Sequence, residues 1–337
     1  MKKSLVALAV LAASGAAMAQ SSVTLYGIAD IWLGSVKNET AGTSVRQTKL
    51  DSGGVSTSRW GIKGSEDLGG GLSANFKLEQ GFAMDTGAGG ASTGQGTGAQ
   101  AFDRQAYVGF SGGFGEVQFG KVWSAYDDVS GASNAMFDAG GLAPMYQVFK
   151  STNYIDRPIN GFRYSSPTFG GLSGAVSYSL DEGVATATSI TALSFSYGAG
   201  PLAVQLGYQD EDLNNTSVDT KYLRLGGTYD FGMAVAKLTY GKATDIGNVN
   251  GDDATEYQLG LDVPVGSAVV LSASYAKSKD DKNAGFEQSR KGFGLGATYT
   301  LSKRTFLYGG YESDKATNNA AADSKHSVFA VGVQHKF

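Results

Sequence analysis

From Ser22 onward the chain carries no sustained 3.6-residue apolar rhythm; it alternates instead. Leu72, Ala74, Phe76, Leu78 and Phe82 interleave with Ser73, Asn75, Lys77, Glu79 and Gly81, and Gln80 is the one break. Val235, Lys237, Thr239 and Gly241 interleave with Ala236, Leu238 and Tyr240, and Leu259 and Leu261 with Gln258, Gly260 and Asp262. A period of two predicts strands with one apolar and one polar face. The connections fall into two classes. Short ones at 67–71, 111–115, 168–171, 198–201, 230–232, 263–266 and 301–303 carry turn residues, mostly Gly, Pro or Asp. Long polar ones, rich in Gly, Ser, Asn and Asp, cover about 36–55, 83–101, 123–150, 181–189, 210–220, 244–255, 278–290 and 314–325. The two classes alternate strictly. Seven short and eight long connections predict sixteen strands, with both termini on the short-turn side.

That layout predicts an all-β fold, a 16-stranded antiparallel transmembrane β-barrel with short periplasmic turns and long outer loops. Ten residues at about 3.3 Å each, tilted by about 40°, span roughly 25 Å, the height of an outer-membrane apolar band. Closure removes the edges that hydrocarbon would not tolerate. Sixteen strands leave an aqueous bore, which eight would fill with their own side chains. A propeller or a long sandwich is the soluble alternative, but neither needs the short/long alternation together with a polar alternate face.

Composition narrows the chemistry. Among 337 residues there are 49 Gly, no Cys and two His. No disulfide, thiol nucleophile or Cys-based zinc site is available, and His326 and His335 alone carry imidazole, so neither a His-rich metal centre nor a cofactor is expected. A net charge of −4 gives no basic field for nucleic acid. A mean hydropathy of −0.15 excludes a helical membrane bundle, and the one long apolar run is N-terminal. There Lys2 and Lys3 precede the apolar run 5–13, and Ala17-Met18-Ala19 supplies a small-x-small cleavage site. Residues 1–19 therefore read as a secretory signal peptide rather than a membrane anchor, and 20–337 as the barrel domain. Loss of Lys2 and Lys3 leaves 25 basic against 31 acidic residues, a net −6.

Several stretches, in order, carry a resemblance. They are Ser22-Val23-Thr24-Leu25-Tyr26-Gly27 with Asp30; Ser58-Arg59-Trp60-Gly61 with Gly64 and Glu66-Asp67-Leu68-Gly69; Phe76-Lys77-Leu78-Glu79; Arg104-Gln105-Ala106-Tyr107-Val108-Gly109; Gly115-Glu116-Val117 with Gly120-Lys121; Arg157, Asn160, Tyr164 and Ser166-Pro167; and the terminal His335-Lys336-Phe337. Together they resemble the general diffusion porins of Gram-negative, β-proteobacterial outer membranes. The resemblance implies a water-filled channel for ions and small hydrophilic solutes. It also implies a homotrimer, contact with outer-membrane lipid and lipopolysaccharide, a third outer loop folded into the lumen, and a terminal Phe337 read by the barrel assembly machinery. The last strand also reads physically: Phe329, Val331, Val333, His335 and Phe337 share one mostly apolar face.

The longest connection, 123–150, contains Met136, Phe137, Leu142, Met145 and Tyr146, too apolar for a freely solvated loop, and the acids Asp127, Asp128 and Asp138. Either it packs inside the barrel or it lies on its outer neighbours or another subunit. Folded inward, its carboxylates narrow the lumen. Cations are expected on the opposite wall, because Arg or Lys on the lipid face costs about 2–4 kcal/mol at the midplane. Arg59 and Lys63 share a parity opposite Trp60 and Ile62, and Lys77 and Glu79 share the polar face of the next strand. Arg104 is in conflict: its parity mates Ala106, Val108 and Phe110 look lipid-facing, whereas the resemblance places it in the pore. A subunit interface would reconcile the two. The resemblance adds Lys121 and Arg157 to the constriction.

Cations facing carboxylates make a transverse field that filters ions where the bore is narrowest. A unit charge 4 Å away is worth about 4 kcal/mol at an effective dielectric near 20. Arg59, Arg104, Lys121 and Arg157 outnumber the three loop acids, which predicts a weak preference for anions. Two rivals stand beside this reading. A substrate-specific channel differs in showing saturable conductance. A barrel hydrolase needs a Ser/His or Asp/His set, yet His326 and His335, nine residues apart, face opposite sides of one strand. The elbow-like Gly109-Phe110-Ser111-Gly112-Gly113 lacks a following helix. The Gly69-x-Gly71-x-x-Ala74 match lacks a βαβ unit.

Overall fold

The computed structural model describes residues 22–90, 100–129, 131–183, 188–213, 216–282, 287–319 and 321–337; the expected leader, 1–19, lies outside them. The described residues form seventeen strands in one antiparallel sheet. In chain order these are β1 (Ser22–Thr40), β2 (Thr43–Ser52), β3 (Arg59–Gly69), β4 (Leu72–Gly81), β5 (Gln105–Gly112), β6 (Gly115–Lys121), β7 (Gly161–Ser165), β8 (Leu172–Ser179) and β9 (Thr188–Ala199). They continue as β10 (Leu202–Leu213), β11 (Thr220–Asp230), β12 (Val235–Thr244), β13 (Asp253–Val265), β14 (Val269–Asp281), β15 (Glu287–Thr300), β16 (Thr305–Asn318) and β17 (Ser324–Lys336). β1 pairs with β17 along one edge and with both β2 and β3 along the other, so the sheet closes. β2 and β3 are two lengths of one stave interrupted at 53–58, and the barrel has sixteen staves.

The alternation sets the two faces. Leu25, Val108, Phe110, Phe195, Leu206, Leu225, Leu238, Leu259, Leu295 and Phe329 stand exposed on the outer surface. Gln205, Gln209, Thr239, Gln258, Ser272 and Gln334 are buried on the inner one. This inversion of a soluble protein is what a hydrocarbon solvent outside and water inside select. Tyr197, Tyr229 and Tyr299, exposed and each close to a short turn, mark the lower rim of the apolar band.

The outer connections are shorter than the polar stretches predict. Segment 36–55 is strand almost throughout: β1 continues to Thr40 and β2 begins at Thr43, joined by a tight turn in which Ala41 and Gly42 have φ of 52° and 82°. Much of 210–220, 278–290 and 314–325 is likewise strand. The cause is solvent. Above the hydrocarbon both faces of the wall meet water, so the ladder continues while the apolar alternation that betrays it stops; every residue from Thr43 to Leu50 is exposed. The third outer connection is longer than 123–150, running over 122–160 between β6 and β7.

Candidate functional site

Segment 122–160 folds into the barrel. Tyr126, Val129, Met136, Leu142, Met145, Val148 and Phe149 are all at most 1% exposed. They are buried because the wall beneath them is stripped of side chains. Inward glycines recur on every strand from β10 to β16 except β14: Gly207 on β10, Gly226 on β11, Gly241 on β12, Gly260 on β13, Gly294 and Gly296 on β15 and Gly310 on β16. A Cβ at Gly207 would stand 2.5 Å from Val129, one at Gly260 2.2 Å from the Ala135 Cβ, and one at Gly296 2.8 Å from the Met136 Cε. The segment thus lies in a groove cut across the wall by missing side chains.

Polar contacts fix it there. The amide of Met136 donates to Ser272 Oγ at 2.8 Å, Lys237 Nζ to the Asn134 carbonyl at 2.9 Å, and Gln258 Nε2 to the Ser133 carbonyl at 3.2 Å. Glu256 accepts from the amides of Lys150 and Ser151, and Arg224 donates to the Ser151 carbonyl at 2.7 Å. At its far end the amides of Gly140 and Gly141 donate to the carbonyls of Val55 and Gly54, each at 3.1 Å, in the interruption of the second stave. That interruption is held by Asp30. Its carboxylate accepts from the amides of Gly54 (3.0 Å), Val55 (3.2 Å) and Ser56 (2.9 Å), from Tyr308 Oη (2.5 Å) and from Gln334 Nε2 (2.9 Å). Between the anchors, Met136, Phe137 and Asp138 are all left-handed, with φ of 55°, 49° and 54°. Such a turn costs L-residues roughly 1–2 kcal/mol each and persists because the flanks are held. It delivers the Asp138 carboxylate to the lumen.

The lumen beside the segment is a cavity of about 540 Å³ bordered by Arg59, Arg104, Trp123, Asp127, Asp138, Tyr146, Tyr154, Asp156 and Arg157, among others. A second one, of about 400 Å³, is bordered by Tyr26, Lys77, Glu79 and Lys336. Arg59, Arg104 and Trp123 border both and form the neck between them. Arg104 Nε pairs with Glu79 Oε1 at 2.8 Å, and Lys77 Nζ lies 3.4 Å from Oε2, which also accepts from Tyr26 Oη at 2.7 Å. Arg157 pairs with Asp156 at 2.7 Å and lies over the Trp123 ring at 4.5 Å, with Arg104 at 5.7 Å from the same ring. The indole is a shared platform between two guanidiniums. Arg59 forms no ion pair among the described residues. Across the neck, Asp127 accepts from Tyr154 Oη at 2.5 Å, and Asp138 from Tyr146 Oη and Asn134 at 2.7 and 2.8 Å. Burial pushes the Asp127 carboxyl up to about 7 against the pull of its tyrosine bond, and raises Asp138 as well.

The chain matches the family model described as Gram-negative porin over residues 4–319. It belongs to the Gram-negative porin family. This porin is similar to outer membrane porin protein 32 of Delftia acidovorans, 36% identical over 99% of this chain and 95% of the relative. Among solved structures it is similar to an anion-selective porin from Comamonas acidovorans, with a TM-score of 0.75 and 29% identity over 94% of this chain and all of the other. OmpT of Vibrio cholerae in a trimer form shares the fold, with a TM-score of 0.68 and 18% identity over 94% of this chain and 99% of that one. The porin is an outer-membrane β-barrel that opens a path for passive diffusion.

Of the residues its sequence singles out, Arg59, Arg104, Arg157, Asp127 and Asp138 border one cavity, and Lys77 and Glu79 lie just beneath. Arg104 faces the lumen, and no subunit interface is needed to reconcile its parity. It precedes β5, in a bend where its amide bonds the Glu79 carbonyl, so the alternation of Ala106, Val108 and Phe110 does not extend to it. Lys121 is buried at the end of β6, paired with Ala106 of β5 and within electrostatic reach of Arg157, Asp156 and Asp103; Gly120, with φ of 134°, precedes it. Asp128 lies outside the cavity lining: it accepts two bonds from Arg163 Nη2, at 2.7 and 2.6 Å, and one from Ser194 at 2.8 Å, as an anchor of the segment. Lys63 sits lower, 5.4 Å from the Tyr26 ring. Trp123, Asp156, Asp30 and the glycine groove were missed. Asp30 belongs to a family-like stretch that assigns it no role, and the glycines register in the sequence only as a total.

Proposed function

We propose that this porin is a weakly anion-selective general diffusion channel, with its filter at the neck formed by Arg59, Arg104 and Arg157 facing Asp127 and Asp138. The observation that carries the reading is the charge balance there. Glu79 and Asp156 are already committed to Arg104, Lys77 and Arg157, whereas Arg59 holds its charge without an ion-pair partner among the described residues. At an effective dielectric near 20 a unit charge acts with about 4 kcal/mol at 4 Å, and salt screens over about 8 Å. Burial disfavours the charged forms of Asp127 and Asp138, which face this wall, so an ion squeezed past the neck feels a balance tipped toward the cations, while the acids of the outer rim lie beyond range. Asp128 contributes by holding the segment, and Lys121, Lys63 and Lys77 extend the positive lining. The relative named as anion-selective supports the sign.

The same reading makes the protein a channel without catalytic activity: His326 and His335 stand on opposite faces of β17, so no paired-histidine site forms. It makes the molecule a homotrimer in contact with lipopolysaccharide, as trimeric relatives of the fold support. It makes Phe337 the residue that the assembly machinery reads. The terminal residue exchanges backbone hydrogen bonds with Gly27 at 2.9 and 3.1 Å, and its ring covers the space a Gly27 Cβ would fill. The test is the reversal potential in planar bilayers under asymmetric salt. An anion-sided potential that weakens in Arg59→Ala, with conductance linear in solute, supports the proposal; a cation-sided potential or saturation by one solute overturns it.

A further inference from the structure

Away from the neck, three side chains with metal-binding chemistry converge on the inner wall where β16 meets β17. Glu312 and Asp314 are two residues apart on β16 and project from the same face. Asp314 is the register partner of His326 on β17. His326 Nδ1 lies 3.0 Å from Asp314 Oδ2 and 3.3 Å from Glu312 Oε2, and one donor atom from each of the three lies within 4.8 Å of the others. Bonds of 2.0–2.2 Å to a tetrahedral ion set ligand atoms about 3.3–3.6 Å apart. The trio is within a rotamer adjustment of that spacing, and it is mounted on rigid strands.

The Glu312 carboxylate is a second observation that points to a cation: its side chain is fully buried, neither oxygen accepts a hydrogen bond among the described residues, and its one ion-pair partner there, the His326 ring at 3.3 Å, is shared with Asp314. The nitrogen facing Oε2 is already bonded to Asp314. An ionised carboxylate buried without donors costs several kcal/mol unless a cation compensates it. The wall makes room for the group: a Cβ at Gly292 on β15 would stand 3.3 Å from Oε1. The His326 side chain remains 27% exposed, which leaves an entry path and a fourth position for lumen water.

We propose that Glu312, Asp314 and His326 form a divalent transition-metal site, one per chain, of the zinc type. Two carboxylates and a neutral imidazole balance a doubly charged ion, and the nitrogen selects zinc and its neighbours over calcium or magnesium. The ion displaces the proton that otherwise sits between the ring and the acids.

The test titrates zinc chloride into the chelator-stripped, folded porin in detergent by calorimetry, with calcium chloride as the comparison. Saturable uptake of one zinc per chain, stronger than calcium, is expected. His326→Ala and Glu312→Gln should each weaken it by about tenfold or more while the heat-modifiable mobility of the barrel stays unchanged. His335→Ala, on the outer face, should leave it intact. Absence of saturable uptake, parent affinity retained in either His326→Ala or Glu312→Gln, or loss in His335→Ala overturns the site.

Discussion

The two walls of the bore are built on opposite principles. Across β10 to β16 the inner surface is cut back to glycine and serine under the folded-in segment, whose apolar side chains lie dry on it, and the charged side chains there, Arg224, Lys237 and Glu256 among them, are bonded to the segment's backbone. Across β3 to β5 the inner surface carries Arg59, Lys77, Glu79 and the adjoining Arg104, and faces water. One wall works by missing side chains and by charges turned onto the segment, the other by charges turned onto water. Steric changes should therefore act strongly on the first and electrostatic ones more gently on the second. Asp30 stands at the junction, where the charged wall hands over to the tip of the segment.

The junction should show the largest effect. Asp30→Ala strips the acceptor from three amides, a phenol and a side-chain amide, and each orphaned buried donor costs about 1–3 kcal/mol. Thermal unfolding of the purified barrel should move down by many degrees. Asp30→Asn, which keeps one carbonyl acceptor, should recover part of it. Equal stability of Asp30→Ala and the parent would mean that the interruption of the second stave holds itself.

The dry wall comes next. Gly260→Val puts a branched side chain where even a Cβ would stand 2.2 Å from Ala135. Overpacking of this kind costs about 1–3 kcal/mol. The barrel should still close, because the outward face of β13 is untouched, but the segment is pushed off its groove toward the bore. Single-channel conductance should fall, and its noise should rise. The same substitution at Gly198, where nothing lies within 4 Å of a Cβ, should change neither. Matching behaviour of the two variants would remove the groove from the account.

The wet wall sharpens the comparison. Arg59→Ala should leave stability near the parent value, since no ion pair is broken. It should reduce the anion-to-cation permeability ratio by about two- to fivefold, the equivalent of roughly 0.5–1 kcal/mol for a hydrated, screened charge. Arg104→Ala should give a smaller change in selectivity and a larger one in stability, because it also releases Glu79. The reverse ranking would move the filter from Arg59 to Arg104.

What the sequence discloses follows the same division. Where lipid lies on one side and water on the other, as along Leu72–Gly81, alternation exposes the strand, its parity and the inward set of Lys77 and Glu79. Where both sides are wet, as in β2, the strand is silent and reads as loop. Where one side is dry protein, as along the groove, the inward residue is glycine, which in sequence looks like any turn former. Arg104 shows the limit of parity: one residue outside its strand, the backbone bends and the inference inverts. Trp123 works through Arg104 and Arg157, 19 and 34 positions away, and Asp30 through partners 24 to 304 positions away, which no local pattern records.

The finest probe of the comparison is a proton placed on the segment's own side of the neck. Asp127 belongs to the dry construction by its backbone and to the wet lumen by its carboxyl, whose burial lifts it to about 7. Such a group is mostly charged at pH 8 and mostly neutral at pH 6. Acidification across this window therefore removes a negative charge facing Arg59, Arg104 and Arg157, and the reversal potential should shift further toward anions. In Asp127→Asn the shift should vanish, and selectivity should sit at the acid-side value throughout. A parent channel with the same reversal potential at pH 6 and pH 8 would show that the Asp127 carboxyl takes no part in the field, and would leave the cationic wall to set the selectivity alone.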